Sequence, residues 1–373
     1  MKHFFKTYRS NTYAGTCNQH CFFGKEDEVH TGRIFYKITH GGRYRYSFLF
    51  SNIVDGTYSN GDVSHRNMLG EPWTVHAMRV LRAAPDAIGL AFTGEEDAAR
   101  INAAAEDICS VTFRGEAKKE VAPGEFFCTD PVELSLEADE YLCLEITFSG
   151  TRIPYMEELL IPAYRRTGDT WSYNKRMPCP SMVGCDRPVT ARVGYIGDSI
   201  TEGIGPAPNS YMHWNAQLSR LIGPAYSYWN LGIGCARAND IATDSAWLYK
   251  AKQNDIVFVC CGTNDTSRGY PADGMMRDIE TVVDALTAAG CKVILQTIPP
   301  FVYKAECAAR WAEVNDYIRN VLSKKVALVF DVGACQSDPD CPHVNRFGGH
   351  PNEEGCTVWA EALYKAVTAA GIF

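Results

Sequence analysis

The 373-residue chain lacks several features that would assign it to other classes of protein. No apolar run approaches the ~20 residues that a membrane-spanning helix needs, so no membrane span is expected. Basic residues are not in excess: 36 Lys and Arg stand against 44 Asp and Glu, a net charge of −8, which argues against a nucleic-acid partner. The first ten residues contain no apolar core of the length that a secretory signal has. The chain as given is therefore expected to be cytoplasmic.

Cysteine, in contrast, is plentiful, with fifteen residues scattered through apolar runs and loops. This distribution favours buried, reduced thiols, while a Cys335–Cys341 disulfide stays open as an alternative for an exported protein. Zinc is disfavoured at Cys335, Cys341, His343 and His350, because structural zinc sites use paired ligands two to four residues apart. We therefore expect neither a metal nor a cofactor.

The stretch that indicates chemistry is 192–203, RVGYIGDSITEG, where a short apolar run ends at Gly-Asp-Ser and a polar segment follows. This pattern predicts a strand that carries Ser199 at its carboxyl end. Ligands of open α/β sheets bind at the carboxyl ends of the strands, so Ser199 is a candidate nucleophile. Serine also caps helices in strand-to-helix turns, and for that reason this stretch alone is ambiguous.

Three later stretches resemble the first in design. The β-rich run 226–232 ends at Gly232, and the buried strand predicted at 255–261 is followed by Asn264. His350 lies in a glycine-rich loop just before a helical pattern. A nucleophile, two oxyanion donors and a base are what acyl transfer requires.

These four blocks, in this order, resemble those of the SGNH or GDSL-type serine esterases and acylhydrolases, from about Val193 to the C-terminus. The resemblance implies that Ser199 is the nucleophile and His350 the base. It also implies an oxyanion hole formed by Ser199, Gly232 and Asn264. Asp198 and Asp265, which adjoin these positions, are candidate supporting residues.

One position departs from the family pattern. The family has an aspartate three residues before the histidine, and here that residue is Phe347. The resemblance therefore predicts a Ser199–His350 dyad, with the histidine held by a backbone carbonyl, as in some carbohydrate esterases, or by another carboxylate. Five acidic residues nearby in the sequence are open alternatives: Asp331, Asp338, Asp340, Glu353 and Glu354.

The length of the chain predicts two domains. Frequent turn residues in the first part indicate an N-terminal β-sandwich, jelly-roll-like, over residues 1–150. Its candidate strands are 33–38, 44–53, 74–83, 88–92, 108–113, 125–129 and 141–148, with a helix over 95–108. Residues 151–188 contain five prolines and are predicted to form an irregular connector, or alternatively a segment that folds over the strand ends and lines the substrate pocket.

In residues 189–373, predicted strands and helices alternate, which indicates an α/β fold with a parallel sheet. The pattern predicts a flavodoxin-like three-layer α/β/α sandwich around a five-stranded sheet, and the family resemblance implies the same architecture.

The functional hypothesis is a carbohydrate O-acetyl esterase that acts on a small-molecule or glycan ester. A short-chain lipase or lysophospholipase-like acylhydrolase is the alternative among enzymes. A glycan-binding protein with a degenerate hydrolase domain is the alternative from another class. The oligomeric state is not predicted.

Overall fold

A computed structural model describes residues 2–25, 28–56 and 67–373, and the chain divides into two compact units. Unit 1 holds the described residues up to Asp55 together with Asn67–Pro188, and unit 2 holds Gly56 and Val189–Phe373. Residues 151–188, predicted to form a separate connector, are thus part of unit 1.

Unit 1 consists mainly of antiparallel strands. Its elements are α1 Lys2–Thr7, β1 Arg9–Ser10, β2 His20–Phe23, β3 His30–Lys37, β4 Gly42–Ser51, β5 Trp73–Ala83, α2 Glu95–Ala103, β6 Glu106–Val111, β7 Lys119–Val121, β8 Phe126–Cys128, β9 Val132–Leu136, β10 Tyr141–Gly150, β11 Arg152–Tyr155, β12 Ala163–Thr167, β13 Thr170–Tyr173 and β14 Met182–Cys185. In the described part of unit 1 one sheet has the order β13-β12-β3-β10-β5-β6, with β7 beside β5. Another has the order β1-β14-β4-β8, with β9 beside β4, and β11 pairs with β2.

The two larger sheets share apolar contacts. The ring of Trp73 on β5 meets that of Phe127 on β8, with centroids 5.8 Å apart. Helix α2 covers a second cluster, which includes Ile88 and Phe92. The strand predicted at 88–92 is wrong, because this segment has no regular structure and only Ile88 and Phe92 of it are buried. The Tyr164 hydroxyl donates to the Phe92 carbonyl at 2.8 Å. Two antiparallel sheets agree with a β-rich domain, and jelly-roll connectivity stays a prediction.

The predicted irregular connector is also wrong, because residues 151–188 contain β11, β12, β13 and β14. Strand β12 pairs with β3, and β14 pairs with β4, both antiparallel. These strands have only four or five residues, too few for a clear period-2 pattern, and their partners lie more than a hundred residues earlier in the chain. Pro154 is accommodated in the two-stranded β2–β11 sheet.

Unit 2 alternates strands and helices. Its elements are β15 Val193–Gly197, α3 Ser199–Glu202, α4 Trp214–Ile222, β16 Trp229–Gly232, α5 Ala238–Ala242, α6 Ala246–Ala251, β17 Ile256–Cys260, α7 Thr263–Ser267, α8 Ala272–Ala288, β18 Lys292–Gln296, α9 Ala305–Asn320, a 3-10 turn at Leu322–Lys324, β19 Leu328–Phe330, α10 Gly333–Gln336 and α11 Glu353–Ala369. All strand pairs in this sheet are parallel, in the order β16-β15-β17-β18-β19. The five-stranded parallel sheet agrees with the prediction.

The helices of unit 2 form two groups. Helices α4 and α11 contact one another, and α8 contacts both α5 and α9. Strands β15 and β17 are buried along their whole length, which is typical of parallel strands covered on both faces. This arrangement brings the carboxyl ends of β15, β16 and β17 to one edge of the sheet. None of the helices in the described part of the chain is both long and apolar enough to cross a bilayer.

Candidate active site

Ser199 lies where β15 gives way to α3. Asp198 is the N-cap of α3, and its carboxylate accepts a hydrogen bond from the Ile200 N–H at 3.0 Å. Because Ser199 is the first residue of the helix, its own N–H has no partner inside the helix. Gly197 is required by packing, since a Cβ there would lie 2.1 Å from the Cys260 carbonyl oxygen. Each residue of the Gly-Asp-Ser sequence therefore has a separate structural role.

Asp198 is completely buried. Burial raises the pKa of its carboxyl to about 6, while the hydrogen bond from Ile200 acts in the opposite direction. The carboxylate therefore supports the site as a helix cap that fixes the turn, and it is oriented toward the backbone of α3.

His350 is positioned by a loop that leads into α11. Asn352 caps that helix by accepting from the Gly355 N–H at 2.9 Å, and its own N–H donates to the Phe347 carbonyl at 3.2 Å. The His350 Nε2 lies 2.8 Å from the Ser199 Oγ, although the two residues are 151 positions apart. The structure thus brings together the predicted nucleophile and base.

No carboxylate orients this imidazole in the described part of the chain. Nδ1 of His350 has no hydrogen bond or ion pair there, from either a side chain or a backbone carbonyl. Of the five acidic alternatives, Asp331 pairs with Arg319, and Asp338 accepts from backbone N–H groups in its own loop. Asp340, Glu353 and Glu354 are exposed. Burial alone lowers the pKa of His350.

An aromatic ring, rather than a carboxylate, lies beside His350. The Phe301 ring is 5.4 Å from the imidazole, centroid to centroid, at an interplanar angle of 84°. Phe301 follows β18, the next strand along the sheet, and sequence reasoning missed it because phenylalanine has no role in acid–base chemistry. The available signal was its place just after the carboxyl end of a predicted strand, where site residues of this sheet gather.

Gly232, a predicted oxyanion donor, lies at the end of β16. Its N–H donates to the Asn230 side-chain oxygen at 2.9 Å, so this donor is already used within β16. A Cβ at this position would lie 2.1 Å from the Glu202 backbone nitrogen. The glycine is therefore required for close packing of β16 against α3, and its role as an oxyanion donor stays a prediction.

Asn264 lies at the start of α7, just after β17. Its Nδ2 donates to the Ala236 carbonyl at 2.9 Å, which ties it to the turn after β16. A side-chain amide has two N–H groups, so one is left for a substrate. The chain reaches this position through Gly262, whose φ of +111° favours glycine.

Asp265, the other candidate supporting residue, is also a helix cap. Its carboxylate accepts from the Ala238 N–H, at the start of α5, at 3.0 Å. Burial raises the pKa of this carboxyl to about 7. The residue therefore fixes α5 and takes no part in the Ser199–His350 pair.

The loop before His350 contains two cysteines and a histidine. The Cys341 sulfur lies 3.6 Å from the ring nitrogens of His343, and both Cys335 and Cys341 are free thiols. Across residues 2–25, 28–56 and 67–373, no group of three or more His, Cys, Asp or Glu side chains could hold a metal ion.

A serine at the end of a parallel strand, hydrogen-bonded to an imidazole, is the arrangement of a serine hydrolase on a doubly wound α/β fold. Residues 195–358 match the model of the GDSL-like Lipase/Acylhydrolase family. The matched range contains the key residue of each of the four sequence blocks, so the match supports the resemblance to that family.

Three individual proteins that the chain resembles have sequence identities of 25% or less. The chain is 25% identical over 252 residues to an acetylxylan esterase of Xylanibacter ruminicola, a match that covers 58% of this chain and 49% of the relative. The chain thus spans about half the length of that curated relative. Among solved structures, TesA is 22% identical, covering 48% of this chain and 99% of its own, with a TM-score of 0.39. A member of the lipolytic protein G-D-S-L family from Veillonella parvula is 17% identical, covering 48% and 98%, with a TM-score of 0.37.

Proposed function

We propose that the protein is a serine esterase that removes acetyl groups from carbohydrates. The observation that carries the hydrolytic part is the 2.8 Å hydrogen bond between Ser199 Oγ and His350 Nε2. The carbohydrate part is supported by the similarity to an acetylxylan esterase and by the β-rich unit 1, for which we propose a role in glycan binding.

The proposed reaction has two halves. His350 Nε2 accepts the proton of the Ser199 hydroxyl as that oxygen attacks the ester carbonyl, and the imidazolium then protonates the leaving alcohol. Water repeats these steps on the acyl-enzyme and releases the acid. The negative charge on the carbonyl oxygen is stabilised by the Ser199 N–H and by the Asn264 side-chain amide.

The lowered pKa of His350 affects the pH dependence of this reaction. The base must be neutral to accept the serine proton, and an ordinary histidine becomes neutral above about pH 6.5. Since burial lowers the pKa of His350, the acid limb of kcat/KM is expected below that value. Measuring kcat/KM from pH 4 to 9 tests this, and an acid limb above pH 7 would contradict it.

A short-chain lipase or lysophospholipase is the second candidate, because the matched family includes lipases. We expect kcat/KM to be highest for acetyl esters and to fall along p-nitrophenyl esters of increasing chain length, with release of acetate from acetylated xylan. A rise with chain length would favour the lipase.

If the protein is instead a glycan-binding protein with a degenerate hydrolase domain, no ester hydrolysis is expected. A fluorophosphonate probe should label the wild type and leave Ser199→Ala unlabelled. Failure to label the folded wild type would favour the degenerate domain.

A further inference from the structure

In the described residues, the base of this site has no acidic partner of the kind that usually fixes a catalytic imidazole. There, His350 forms a hydrogen bond with Ser199 and a ring contact with Phe301. We propose that Phe301 is the positioning residue of His350, fixing the orientation of the imidazole by packing where a carboxylate would fix it by hydrogen bonding. This proposal rests on the esterase function proposed above.

The backbone of Phe301 is anchored to the same loop that carries the histidine. The Phe301 N–H donates to the His343 carbonyl at 3.1 Å, and the Phe301 carbonyl accepts from the Asn345 N–H at 3.3 Å. These bonds join the segment after β18 to the loop before α11 on both sides of Phe301. The ring and the imidazole therefore keep a defined separation.

The ring itself is packed on the residue next to the histidine. A Cβ on Gly349 would lie 3.2 Å from two atoms of the Phe301 ring. Behind it, the ring of the buried Tyr303 is 5.6 Å away, and the Tyr303 hydroxyl donates to the Pro299 carbonyl at 3.0 Å. Phe301 thus contacts both a hydrogen-bonded tyrosine and the imidazole.

An aromatic contact and a carboxylate affect a histidine differently. Edge-to-face ring pairs contribute about 0.5–1.5 kcal/mol beyond burial, enough to favour one ring orientation. A carboxylate would also stabilise the imidazolium and raise its pKa, whereas an apolar ring excludes water and lowers it. The lowered pKa of His350 agrees with the second case.

Among the described residues, no ionisable group contributes to this effect by direct contact. Around the imidazole, the titratable or charged residues on neighbouring elements are Asp198 and Glu202 at the Ser199 turn, Tyr303 and Lys304 after β18, and His343, Arg346, Glu353 and Glu354 around the loop. In the described part of the chain none of them forms a hydrogen bond or ion pair with His350, so the Phe301 ring is the contact to test.

The test compares two substitutions at this position. Phe301→Leu keeps an apolar side chain and removes the ring, and Phe301→Tyr keeps the ring. With p-nitrophenyl acetate, we expect Phe301→Leu to lower kcat about 2- to 10-fold at unchanged KM, the range that follows from the ring-pair energy. Better hydration of the imidazole should also move the acid limb up towards pH 6.5. Phe301→Tyr should keep both properties near the wild type.

Val302→Ala is the matched control, because this neighbour is 66% exposed and lies in the same segment. It should leave kcat and the acid limb unchanged. If Phe301→Leu does not fold, as judged by circular dichroism, Phe301→Met takes its place.

Three results would overturn the proposal: wild-type kcat and acid limb in Phe301→Leu, a higher KM at unchanged kcat, or equal losses in Phe301→Leu and Val302→Ala. The esterase function is tested separately by Ser199→Ala. If the wild type shows no Ser199-dependent turnover, an NMR titration of the His350 ring still decides the matter. A higher pKa in Phe301→Leu than in the wild type supports the packing role, and equal values exclude it.

Discussion

The two halves of the active site are built in opposite ways. Ser199 is held by contiguous sequence: a strand, a glycine with no space for a side chain, and a capping aspartate all occur within seven residues. His350 is held by a loop whose closest ring contact, Phe301, comes from another part of the chain. The position of the nucleophile is therefore encoded locally, whereas the position of its base depends on tertiary packing.

The largest expected loss of activity follows from substitution of Ser199, in the locally encoded half of the active site. Ser199→Ala should lower hydrolysis of p-nitrophenyl acetate by at least about a thousandfold, because no other group can form the acyl-enzyme. The far-ultraviolet circular dichroism should not change. Substantial residual activity in a well-folded variant would remove Ser199 as the nucleophile.

Asn264 connects the turn after β16 to the start of α7, and its loss should rank next. We expect Asn264→Ala to lower kcat about 100- to 1,000-fold, the usual effect of removing one oxyanion donor. Asn264→Asp is the matched variant, because a carboxylate has the same shape and cannot donate. A kcat within threefold of the wild type in both variants would exclude Asn264 from the oxyanion hole.

A pair of glycine substitutions tests how rigidly each half is built. At Gly232 a methyl group would meet backbone atoms of α3 at 2.1 Å, and at Gly349 it would meet the Phe301 ring at 3.2 Å. Overpacking against backbone is expected to cost about 3 kcal/mol in Gly232→Ala, and contact with a side chain under about 1 kcal/mol in Gly349→Ala. Urea denaturation measures both. The reverse order would mean that the His350 loop is the more rigid half.

A pH-dependent effect on stability is expected from the buried cap beside the nucleophile. The pKa of Asp198 is about 6 in the folded protein and about 3.9 in an unfolded chain, so the folded state binds more protons between these values. Its contribution to stability is therefore complete below about pH 4 and is lost, by roughly 3 kcal/mol, as the pH rises through about 6. Asp198→Asn keeps an oxygen acceptor for Ile200 and should flatten this part of the stability curve. An unchanged stability curve would mean that the pKa of the Asp198 carboxyl is close to its ordinary value.

Asp265→Asn is the comparison for that measurement. This carboxyl caps α5, and its pKa of about 7 places the loss of stability at higher pH. The two variants should therefore flatten different parts of the curve, and only Asp198→Asn alters a residue next to Ser199. Identical curves for both would argue against separate titrations.

The same division, between locally encoded features and features that depend on tertiary packing, separates what the sequence predicted from what it did not. Ser199, Asn264 and the parallel strands were readable because each lies in a run of under ten residues with its own pattern. The strands between 151 and 188 were not readable, because they exist through pairing with β3 and β4 far away in the sequence. Helices α5 and α6 are separate elements, because the Ser245 hydroxyl accepts from the Leu248 N–H and starts a new helix.

The roles of single residues were harder to predict than their locations. Gly232 and Asp265 lie close to the predicted edge of the sheet, yet one is used in packing and the other in capping. Those roles depend on distances to Glu202 and Ala238, which a one-dimensional pattern does not contain. Phe301 could not be found for the same reason, because its effect on His350 exists only after two loops have come together.

The contact between α4 and α11 has a consequence for how activity arises during folding. Trp214 and Trp359 are both fully buried and stack with their rings 5.1 Å apart and nearly parallel. Because α11 starts just after His350, we expect docking of this tryptophan pair to be the step that brings the imidazole to Ser199. Refolding should therefore restore near-ultraviolet tryptophan dichroism and ester turnover with the same time course, after the backbone signal of the sheet has returned.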